Sequence, residues 1–337
     1  MRSLVSICIP TYNGERYLKE CLDTVLEQTY ANLEIIVVDD CSKDATCEII
    51  EEYIRKDSRI KLYRNTENSG LVGNWNKCLE IAQGEWIKFI FQDDLVTADC
   101  IEKQINAANG HSFVVCDRQF IFDDQVPEAT KAYYNGPLLT LKKMISTDKD
   151  VFISAAEISN YAAANISLNF IGEPTAVLFK KEAVKKYGIF NADLSQICDL
   201  EYWLRIATAE GLVYIPEELV SFRIHAGSTT SQNVISATKF KPRYIDVILL
   251  AHEFLYGSGY EAFRNSISFS QQKKIDFFIS SRMLEAKKAF EKDSSFDPQF
   301  FNKLLVKYPA LKPYYHPSFG AKLVYCAVML RRKLRKL

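Results

Sequence analysis

The N-terminal part of the chain alternates between short apolar runs and segments with helical periodicity. The runs are rich in β-branched and aromatic residues, as buried strands are, and each is followed by a segment whose apolar residues recur every three or four positions. The predicted strands are 4–10, 34–38, 60–63 and 86–91, and the predicted helices are 15–28, 49–54 and 71–82. This alternation predicts βαβ units, and therefore an α/β fold with a mostly parallel, doubly wound sheet.

Polar residues follow each of these predicted strands. They are Thr11, Tyr12 and Asn13 after the first, Asp39 and Asp40 after the second, 65–68 after the third, and Asp93 and Asp94 after the fourth. The carboxyl ends of parallel strands meet at one edge, where open α/β sheets bind their ligands. Adjacent carboxylates repel each other, and such oxygen ligands suit Mg²⁺ or Mn²⁺ beside substrate phosphates. The alternative for the Asp93–Asp94 pair is a solvated turn.

Four short segments occur in order along this half of the chain: 6–13, 36–42, 68–70 and 92–94. In this order and spacing they resemble the nucleotide-sugar half of family 2 glycosyltransferases. The resemblance covers residues 4–120, and matching elements continue to residue 230. It implies an inverting enzyme with the glycosyltransferase A fold.

The resemblance also implies roles for the strand-end residues. The implied nucleotide-binding residues are Pro10, Thr11, Tyr12, Asp40, Asn68, Gly70 and Asp93. Asp40 would accept a hydrogen bond from the base, and Asp93 would lie near ribose or sugar hydroxyls. Asp94 would be the principal ligand of Mn²⁺ or Mg²⁺, and because it lies at a strand end, its replacement by Asn is expected to keep the fold. Asp39 is either part of the site or a turn residue at the strand end.

One stretch departs from the family pattern. Many relatives carry an arginine near the diphosphate a few residues after the Asn-x-Gly segment, and Trp75 stands where we expect it. Either the metal and another residue meet the phosphate charge, or the alignment shifts here. We expect Trp75 to pack within a helix, and Asn76 either to contact the ligand or to make a capping or interhelical bond.

A second group of candidate residues lies at 198–205. Four apolar residues share one helical stripe there: Tyr202, Trp203, Ile206 and Ala207. The pattern predicts a helix with acids in its first turn, where negative charge is favoured by about 0.3–1 kcal/mol, so Asp199 alone would be a plain N-cap. The resemblance implies instead that Asp199 is the catalytic base. Cys198 replaces the usual first acid of a pair, and Glu201 is the competing candidate for the base.

The implied chemistry needs these residue types. In an inverting transfer the acceptor hydroxyl displaces the nucleotide in line at the anomeric carbon and loses its proton to a carboxylate within about 2.6–3.2 Å. A divalent metal neutralises the charge on the departing diphosphate. No nucleophilic side chain is required, and the sequence offers no convincing Ser-His-Asp arrangement.

A third segment follows a predicted strand at 219–222. Arg223 and His225 resemble the Arg-x-His segment that closes over the diphosphate in this family. The chain has only four histidines, and His225 is a candidate for metal or phosphate contact, with a hydrogen-bonded loop histidine as the alternative. We expect Arg223 to be structural.

Composition narrows the functional classes. The 337 residues allow roughly two domains, and 42 basic residues balance 42 acidic ones, so a nucleic-acid-binding surface is not indicated. The nine cysteines include no Cys-x-x-Cys, and several fall in apolar patterns, as reduced core thiols do. With no secretory signal at the N-terminus, these features predict a cytoplasmic protein.

The C-terminal end combines an apolar run with a basic cluster. Residues 323–330 are too few to span a bilayer, and the five residues of 331–337 other than the two leucines are all basic: Arg331, Arg332, Lys333, Arg335 and Lys336. Such a segment suits either an interfacial anchor on anionic lipid at the inner face of the cell membrane, at about 1 kcal/mol per basic residue, or a packed helix with a solvated tail.

Together these features predict a metal-dependent inverting glycosyltransferase. The family resemblance and the basic tail imply its partners, which are a nucleotide-sugar donor, with UDP favoured, and a glycan or lipid-linked acceptor in the synthesis of a surface polysaccharide such as O-antigen. A nucleotidyltransferase would need a basic, glycine-rich phosphate loop, which 11–14 is not, and a non-catalytic nucleotide-sugar binding module would not need Asp199. The predicted organisation is a nucleotide-sugar half at 1–120, an acceptor-binding and catalytic half at 121–232, and a helical C-terminal region at 233–337.

Overall fold

The N-terminal half of the sheet is parallel. The structure, a computed structural model, describes residues 2–136, 140–228, 244–292, 297 and 299–316. Strands lie side by side in the order β3-β2-β1-β4, with every pair parallel. Their bounds are β1 Val5–Thr11, β2 Leu33–Asp39, β3 Ile60–Arg64 and β4 Trp86–Phe89, and the connecting helices are α1 Leu18–Leu26, α2 Thr46–Ile54 and α3 Gly70–Ile81.

The other half of the sheet is mixed. It continues as β4-β8-β6-β9-β5, with β7 also paired to β9. Strand β8 runs antiparallel between β4 and β6, whereas β6 and β9 are parallel. The strands are β5 Leu95–Val96, β6 Phe113–Phe122, β7 Val151–Ile153, β8 Val177–Lys180 and β9 Leu212–Ile224, and the helices are α4 Cys100–Ala108, α5 Glu128–Asn135, α6 Leu141–Ile145, α7 Ala155–Ala164, α8 Glu182–Tyr187 and α9 Cys198–Glu210.

The elements predicted from the apolar pattern match the structure well where the strands are fully buried. All seven residues of β1 and all seven of β2 are buried, because helices cover parallel strands on both faces. The four predicted strands and three predicted helices are therefore confirmed with shifts of a few residues. Between 121 and 165 the chain contains the end of β6, the helices α5, α6 and α7, and all of β7.

The described chain divides into two compact units. The first comprises 1–158 and 168–235, and the second comprises 159–167 and 236–337. Within the second unit, the predicted C-terminal helices are present, and the described helices are Asp246–Tyr256, Glu261–Ser266, Phe269–Lys292, Phe300–Lys307 and Lys312–Tyr315. The division into 1–120, 121–232 and 233–337 stays a prediction, and the basic tail at 331–337 lies outside the described residues.

Among the residues that the structure describes, no helix combines the length and the apolar character needed to cross a bilayer.

Candidate active site

The turn after β1 is held beside the acidic end of β4. The Tyr12 N–H donates to Gln92 Oε1 at 2.9 Å, and Gln92 Nε2 donates to the Tyr12 carbonyl at 3.1 Å. Gly14 makes this approach possible, since a Cβ there would lie 2.2 Å from Gln92 Oε1. Thr11 is buried in this turn, whereas the Tyr12 side chain is 48% exposed. Tyr12 is therefore the residue of this turn that presents a ring to solvent beside the sheet edge.

The two acids at the end of β2 accept hydrogen bonds from the loops around them. Asp39 is buried and accepts from the Ser42 N–H at 3.0 Å and from the Thr11 hydroxyl at 3.2 Å, so it is a strand-end turn residue. Asp40 is also buried, and its carboxylate accepts from Asn65 Nδ2 at 2.8 Å and from the Ser69 N–H at 2.8 Å. Asp40 thus organises the loop before α3, and its contact with a nucleotide base stays a prediction.

The Asn-x-Gly segment forms the turn into α3. The Gly70 N–H donates to Asp40 Oδ2 at 2.9 Å and to Asn68 Oδ1 at 3.0 Å. Asn68 Nδ2 donates back to the Asp40 carbonyl at 3.2 Å. The φ angle of Gly70 is +71°, a left-handed conformation that favours glycine. This segment and Asp40 therefore act as one unit, which fixes where the N-terminus of α3 lies.

Trp75 and Asn76 are structural in this arrangement. The Trp75 ring packs against Phe91 at 4.8 Å and against Phe190 at 5.3 Å between ring centroids. The Asn76 amide bridges to the Phe190 backbone, donating to its carbonyl at 3.0 Å and accepting from its N–H at 2.9 Å. Trp75 packs as predicted, and of the alternatives for Asn76 the structure shows bonding between elements.

Asp94 lies inside the protein. Its side chain has no exposed surface, and its carboxylate accepts from the Thr175 hydroxyl at 2.5 Å and from the Arg223 N–H at 3.0 Å. Burial, followed by the charge of Asp93, raises the pKa of Asp94 well above its ordinary value. The expectation that this side chain lies outside the core was wrong, because the chain turns inward after β4 and ties three segments of the mixed sheet together.

Replacing Asp94 by Asn should therefore destabilise the fold. In the wild type the Thr175 hydroxyl and the Arg223 N–H each donate to a different oxygen of Asp94. The Asn side chain has only one acceptor oxygen, so one of these two buried donors loses its partner. We expect the free energy of unfolding to fall by about 1–3 kcal/mol, measured by urea denaturation. Thr175→Val removes the hydroxyl donor and should recover part of the loss in the double variant. An Asp94→Asn protein as stable as the wild type would contradict this structural role.

Asp93 and His225 face each other at the sheet edge. Asp93 Oδ2 lies 2.8 Å from His225 Nε2, and both side chains are partly exposed. Arg223 Nε donates to the Asp93 carbonyl at 2.9 Å, which fixes the backbone that carries this carboxylate. The sequence placed these two residues in separate segments, and the pairing of β5 with β9 brings them together.

The N-terminus of α1 supports this pair. The Tyr17 ring packs against the His225 ring at 4.9 Å, and the Arg223 guanidinium lies 4.7 Å from the Tyr17 centroid. Arg223 Nη2 also donates to Glu20 Oε2 at 2.7 Å, and the Tyr17 hydroxyl donates to Asp123. The sequence predicted that Arg223 is structural but gave no signal for Tyr17, because the contact exists only once α1 meets β9.

The donors at this edge fit a divalent cation. A carboxylate oxygen and an imidazole nitrogen suit Mn²⁺, and Mg²⁺ less well, when phosphate oxygens complete the coordination. In the described part of the chain, no group of three or more His, Cys, Asp or Glu side chains is arranged to hold a metal by itself. A cation here would therefore depend on oxygens from a ligand.

Asp199 lies in the first turn of α9. Asn169 Nδ2 approaches its carboxylate at 3.4 Å, and the backbone N–H of Leu200 also favours its charged form. Burial of the carboxyl group raises the pKa of Asp199 by more than these hydrogen bonds lower it. The negative charge of Glu173 raises it further, and the resulting pKa is about 7. A carboxyl group with that pKa can accept a proton efficiently near neutral pH.

Glu201 is differently placed. Its side chain is 1% exposed, and Arg205 Nε donates to it at 3.0 Å while Nη2 contacts its second oxygen. Arg205 in turn donates to the Tyr187 carbonyl at 2.7 Å. This buried ion pair favours a structural role for Glu201, and Cys198, the first residue of the same helix, is also buried. Of the two candidate bases, Asp199 has the more suitable surroundings.

A mixed α/β sheet with acidic residues at the strand ends is typical of ligand-binding α/β proteins, and comparisons with known proteins identify the family. Residues 6–164 match the family model described as glycosyl transferase family 2. The chain is 30% identical to TuaG of Bacillus subtilis, which is named as a teichuronic acid biosynthesis glycosyltransferase, over 71% of this chain and 86% of that protein. It is also 30% identical to an uncharacterised glycosyltransferase of Rickettsia prowazekii, over 84% and 89% of the two chains. The protein therefore belongs to glycosyl transferase family 2 and is a glycosyltransferase, as the sequence predicted.

Solved structures show the same fold. TarS of S. aureus in complex with UDP-GlcNAc matches with a TM-score of 0.57 and 18% identity, over 92% of this chain and 78% of that one. Mannosyltransferase PcManGT from Pyrobaculum calidifontis, in complex with GDP-Man and Mn²⁺, matches with a TM-score of 0.56 and 17% identity, over 97% and 87%. At these identities the likeness concerns the fold, and it confirms the predicted glycosyltransferase A type of α/β architecture.

Proposed function

We propose that the protein transfers a sugar from a UDP-sugar to an acceptor hydroxyl with inversion at the anomeric carbon, using Mn²⁺ or Mg²⁺. The observation that carries the proposal is the placement of Asp199 in the first turn of α9, where Asn169 Nδ2 contacts its carboxylate at 3.4 Å and burial raises its pKa to about 7. The solved structures bound to UDP-GlcNAc and to GDP-Man with Mn²⁺ support a nucleotide-sugar donor and a divalent metal. UDP is favoured by the resemblance in sequence.

The metal is assigned to Asp93 and His225. Their side chains are partly exposed and 2.8 Å apart, whereas both oxygens of Asp94 bond within the protein. In this proposal Asp93, and not Asp94, is the carboxylate ligand of the metal. Asp94 instead stabilises the turn through its buried hydrogen bonds. When bound there, the cation neutralises charge on the leaving diphosphate.

Asp199 acts as the general base. Its carboxylate takes the proton of the acceptor hydroxyl as that oxygen attacks the anomeric carbon. Asn169 orients the carboxylate, and burial keeps its proton affinity high enough for the transfer. Pro10, Thr11, Tyr12, Asp40, Asn68 and Gly70 line the nucleotide side of the same edge in this proposal.

Screening UDP-sugars and GDP-mannose for thermal stabilisation with Mn²⁺ tests the donor, and NMR of the product's anomeric proton tests inversion. Stabilisation by a UDP-sugar that EDTA abolishes is the expected result. Asp199→Asn is the matched control, since it should keep the stabilisation and lose the product. Stabilisation by the sugar nucleotide without metal, or a product that retains the donor's anomeric configuration, would refute the metal or the inversion.

The acceptor proposed is a lipid-linked glycan of a surface polysaccharide, reached from the inner face of the cell membrane. The likeness to TuaG supports polysaccharide synthesis, and the basic residues of 331–337 support attraction to anionic lipid. O-antigen and teichuronic-acid-like polymers are both compatible with that acceptor class.

Deleting 331–337 should release the protein from anionic vesicles. Each basic residue adds about 1 kcal/mol of attraction to a negatively charged surface, and salt screens that attraction. Co-sedimentation of the full chain with vesicles should fall as salt rises, while transfer to a soluble acceptor analogue stays unchanged by the deletion. Equal sedimentation of the full-length and truncated proteins at low salt would mean that the tail is simply solvated.

A further inference from the structure

A group of aromatic side chains lies along β6, β9 and α5. We call it the aromatic cluster, and its members are Phe120, Phe122, Tyr133, Tyr134 and Phe222. Tyr134 packs on Phe120 at 5.1 Å and on Tyr133 at 5.6 Å, and Phe222 lies 6.4 Å from Phe120. Tyr133 is 49% exposed and the other four are only partly buried. The five neighbouring rings form one partly exposed aromatic patch, and contiguous apolar patches of this kind are typical of binding surfaces.

A charged pair borders this cluster. Arg118 precedes Phe120 by two residues, so both point to the same face of β6, and its guanidinium lies 5.8 Å from the Phe120 centroid. Arg118 Nε lies 2.5 Å from Glu173 Oε2, so the two side chains form an ion pair, whereas Arg118 Nη2 has no hydrogen-bond partner in the part of the chain that the structure describes. A buried guanidinium nitrogen without a partner is rare inside proteins, and this one leaves a hydrogen-bond donor available beside the ion pair.

One short turn connects the pair to the catalytic base. Asn169 Oδ1 accepts from the Gly172 N–H at 2.9 Å, and the same amide approaches Asp199. Gly172 has a φ of +133°, and a Cβ there would lie 3.1 Å from Arg118 Nη1, so only glycine lets the turn pass this close. The Glu173 side chain, 15% exposed, follows directly in this turn. The same turn therefore contacts the base through Asn169 and approaches, through Gly172, the Arg118 side chain that borders the cluster.

We propose that the aromatic cluster and Glu173 form the acceptor subsite, and that it takes an uncharged pyranose ring. The ring stacks on the exposed aromatic faces, one of its hydroxyls donates to Glu173, and Arg118 acts as a positioning residue for that carboxylate. This inference rests on the proposed function, because it assumes that Asp199 serves as the base.

The charges at the site favour an uncharged sugar. Two acidic side chains already flank this turn: Glu173, which follows Gly172, and Asp199, which Asn169 contacts at 3.4 Å. An acidic sugar would bring a further carboxylate into this region, and Arg118 is the cation already paired with Glu173. A neutral ring avoids that repulsion and still offers hydroxyl donors.

Saturation-transfer NMR with simple probes, in the presence of UDP and Mn²⁺, tests the subsite. The probes are methyl glucoside, methyl N-acetylglucosaminide, methyl glucuronide and n-octanol. The wild type should bind at least one neutral glycoside more tightly than the glucuronide. Tyr133→Ala should weaken that binding about five- to tenfold, the loss expected for one stacking contact, and Glu173→Gln should reduce the preference for the neutral probe over the glucuronide. Phe269→Ala, which removes a ring that is 73% exposed elsewhere in the chain, should leave binding unchanged.

Several results would overturn the subsite. The first is unchanged glycoside binding in Tyr133→Ala, and the second is tighter binding of the glucuronide than of the neutral glycosides by the wild type. The third is competition between n-octanol and the neutral glycoside, which would mean that the cluster binds a lipid chain. In each case UDP would still bind with Mn²⁺, so the proposed function survives. If UDP and Mn²⁺ fail to bind the wild type, the result refutes the proposed function and, with it, the acceptor subsite.

Discussion

Replacing Asp199 by Asn should reduce sugar transfer by about 10²–10⁴-fold, the usual contribution of a general base. The amide cannot accept the proton of the acceptor hydroxyl, whereas the donor site at the other strand ends is untouched. Initial-rate kinetics should show the loss in kcat, and calorimetry should show unchanged affinity for UDP with Mn²⁺. Donor affinity that falls together with the rate would place Asp199 in the donor site instead.

The pH dependence should separate Asp199 from Glu201. Because only the ionised base accepts a proton, the wild-type kcat/KM should fall about tenfold per pH unit below a pKa of about 7. Asp199→Asn should lack this limb. Glu201→Gln breaks a buried ion pair with Arg205, so it should lower thermal stability but keep the limb. If Glu201→Gln shows the rate loss and Asp199→Asn does not, the base has been assigned two residues too early.

Asp199→Asn should also stabilise the protein at alkaline pH. The folded pKa is raised above the unfolded one, so ionisation costs stability as the pH rises from about 4 to about 7. The neutral amide removes that cost, and the melting temperature of the variant should exceed that of the wild type at pH 8 but not at pH 4. A gain of equal size at both pH values would point to an effect unrelated to the titration of this carboxyl group.

Removing the carboxylate of Asp93 should weaken metal-dependent nucleotide binding. Asp93→Asn and His225→Ala should each lower the affinity for UDP with Mn²⁺ by about 10–100-fold or more, since even outer partners of a metal cause losses of that size. The reason is that each variant removes one of the two protein donors that lie 2.8 Å apart at the sheet edge. Isothermal titration calorimetry with and without Mn²⁺ measures the effect.

Two variants serve as controls for the metal. Asp124→Asn removes an exposed carboxylate from the nearby loop and should change nothing. Asp94→Asn should lower stability but leave the folded protein able to bind UDP with Mn²⁺. Loss of binding in Asp94→Asn combined with normal binding in Asp93→Asn would restore Asp94 as the principal ligand.

The sequence predicted the parts of the site that depend on neighbouring residues, but not the parts that depend on contacts between distant segments. The acids and the glycine of 39–40, 68–70 and 93–94 stand directly after strands or before a helix, so their placement at one edge followed from the order of elements. The direction of each side chain did not. Asp93 and Asp94 are adjacent in sequence, yet one faces His225 and the other is buried beneath Thr175, because β9 and the turn at 174–176 lie against them.

The amino-acid sequence by itself determined the parallel half of the sheet, the helices that cover it, the family and the candidate acids. Those features depend on apolar periodicity and on neighbours a few positions apart, which a single sequence displays. Only the tertiary structure decided that Asp94 is buried, that Tyr17 supports His225, and that Glu173 and the aromatic cluster lie beside the turn that holds Asp199. These contacts join segments far apart along the chain, and no local pattern records which distant strand a residue will meet.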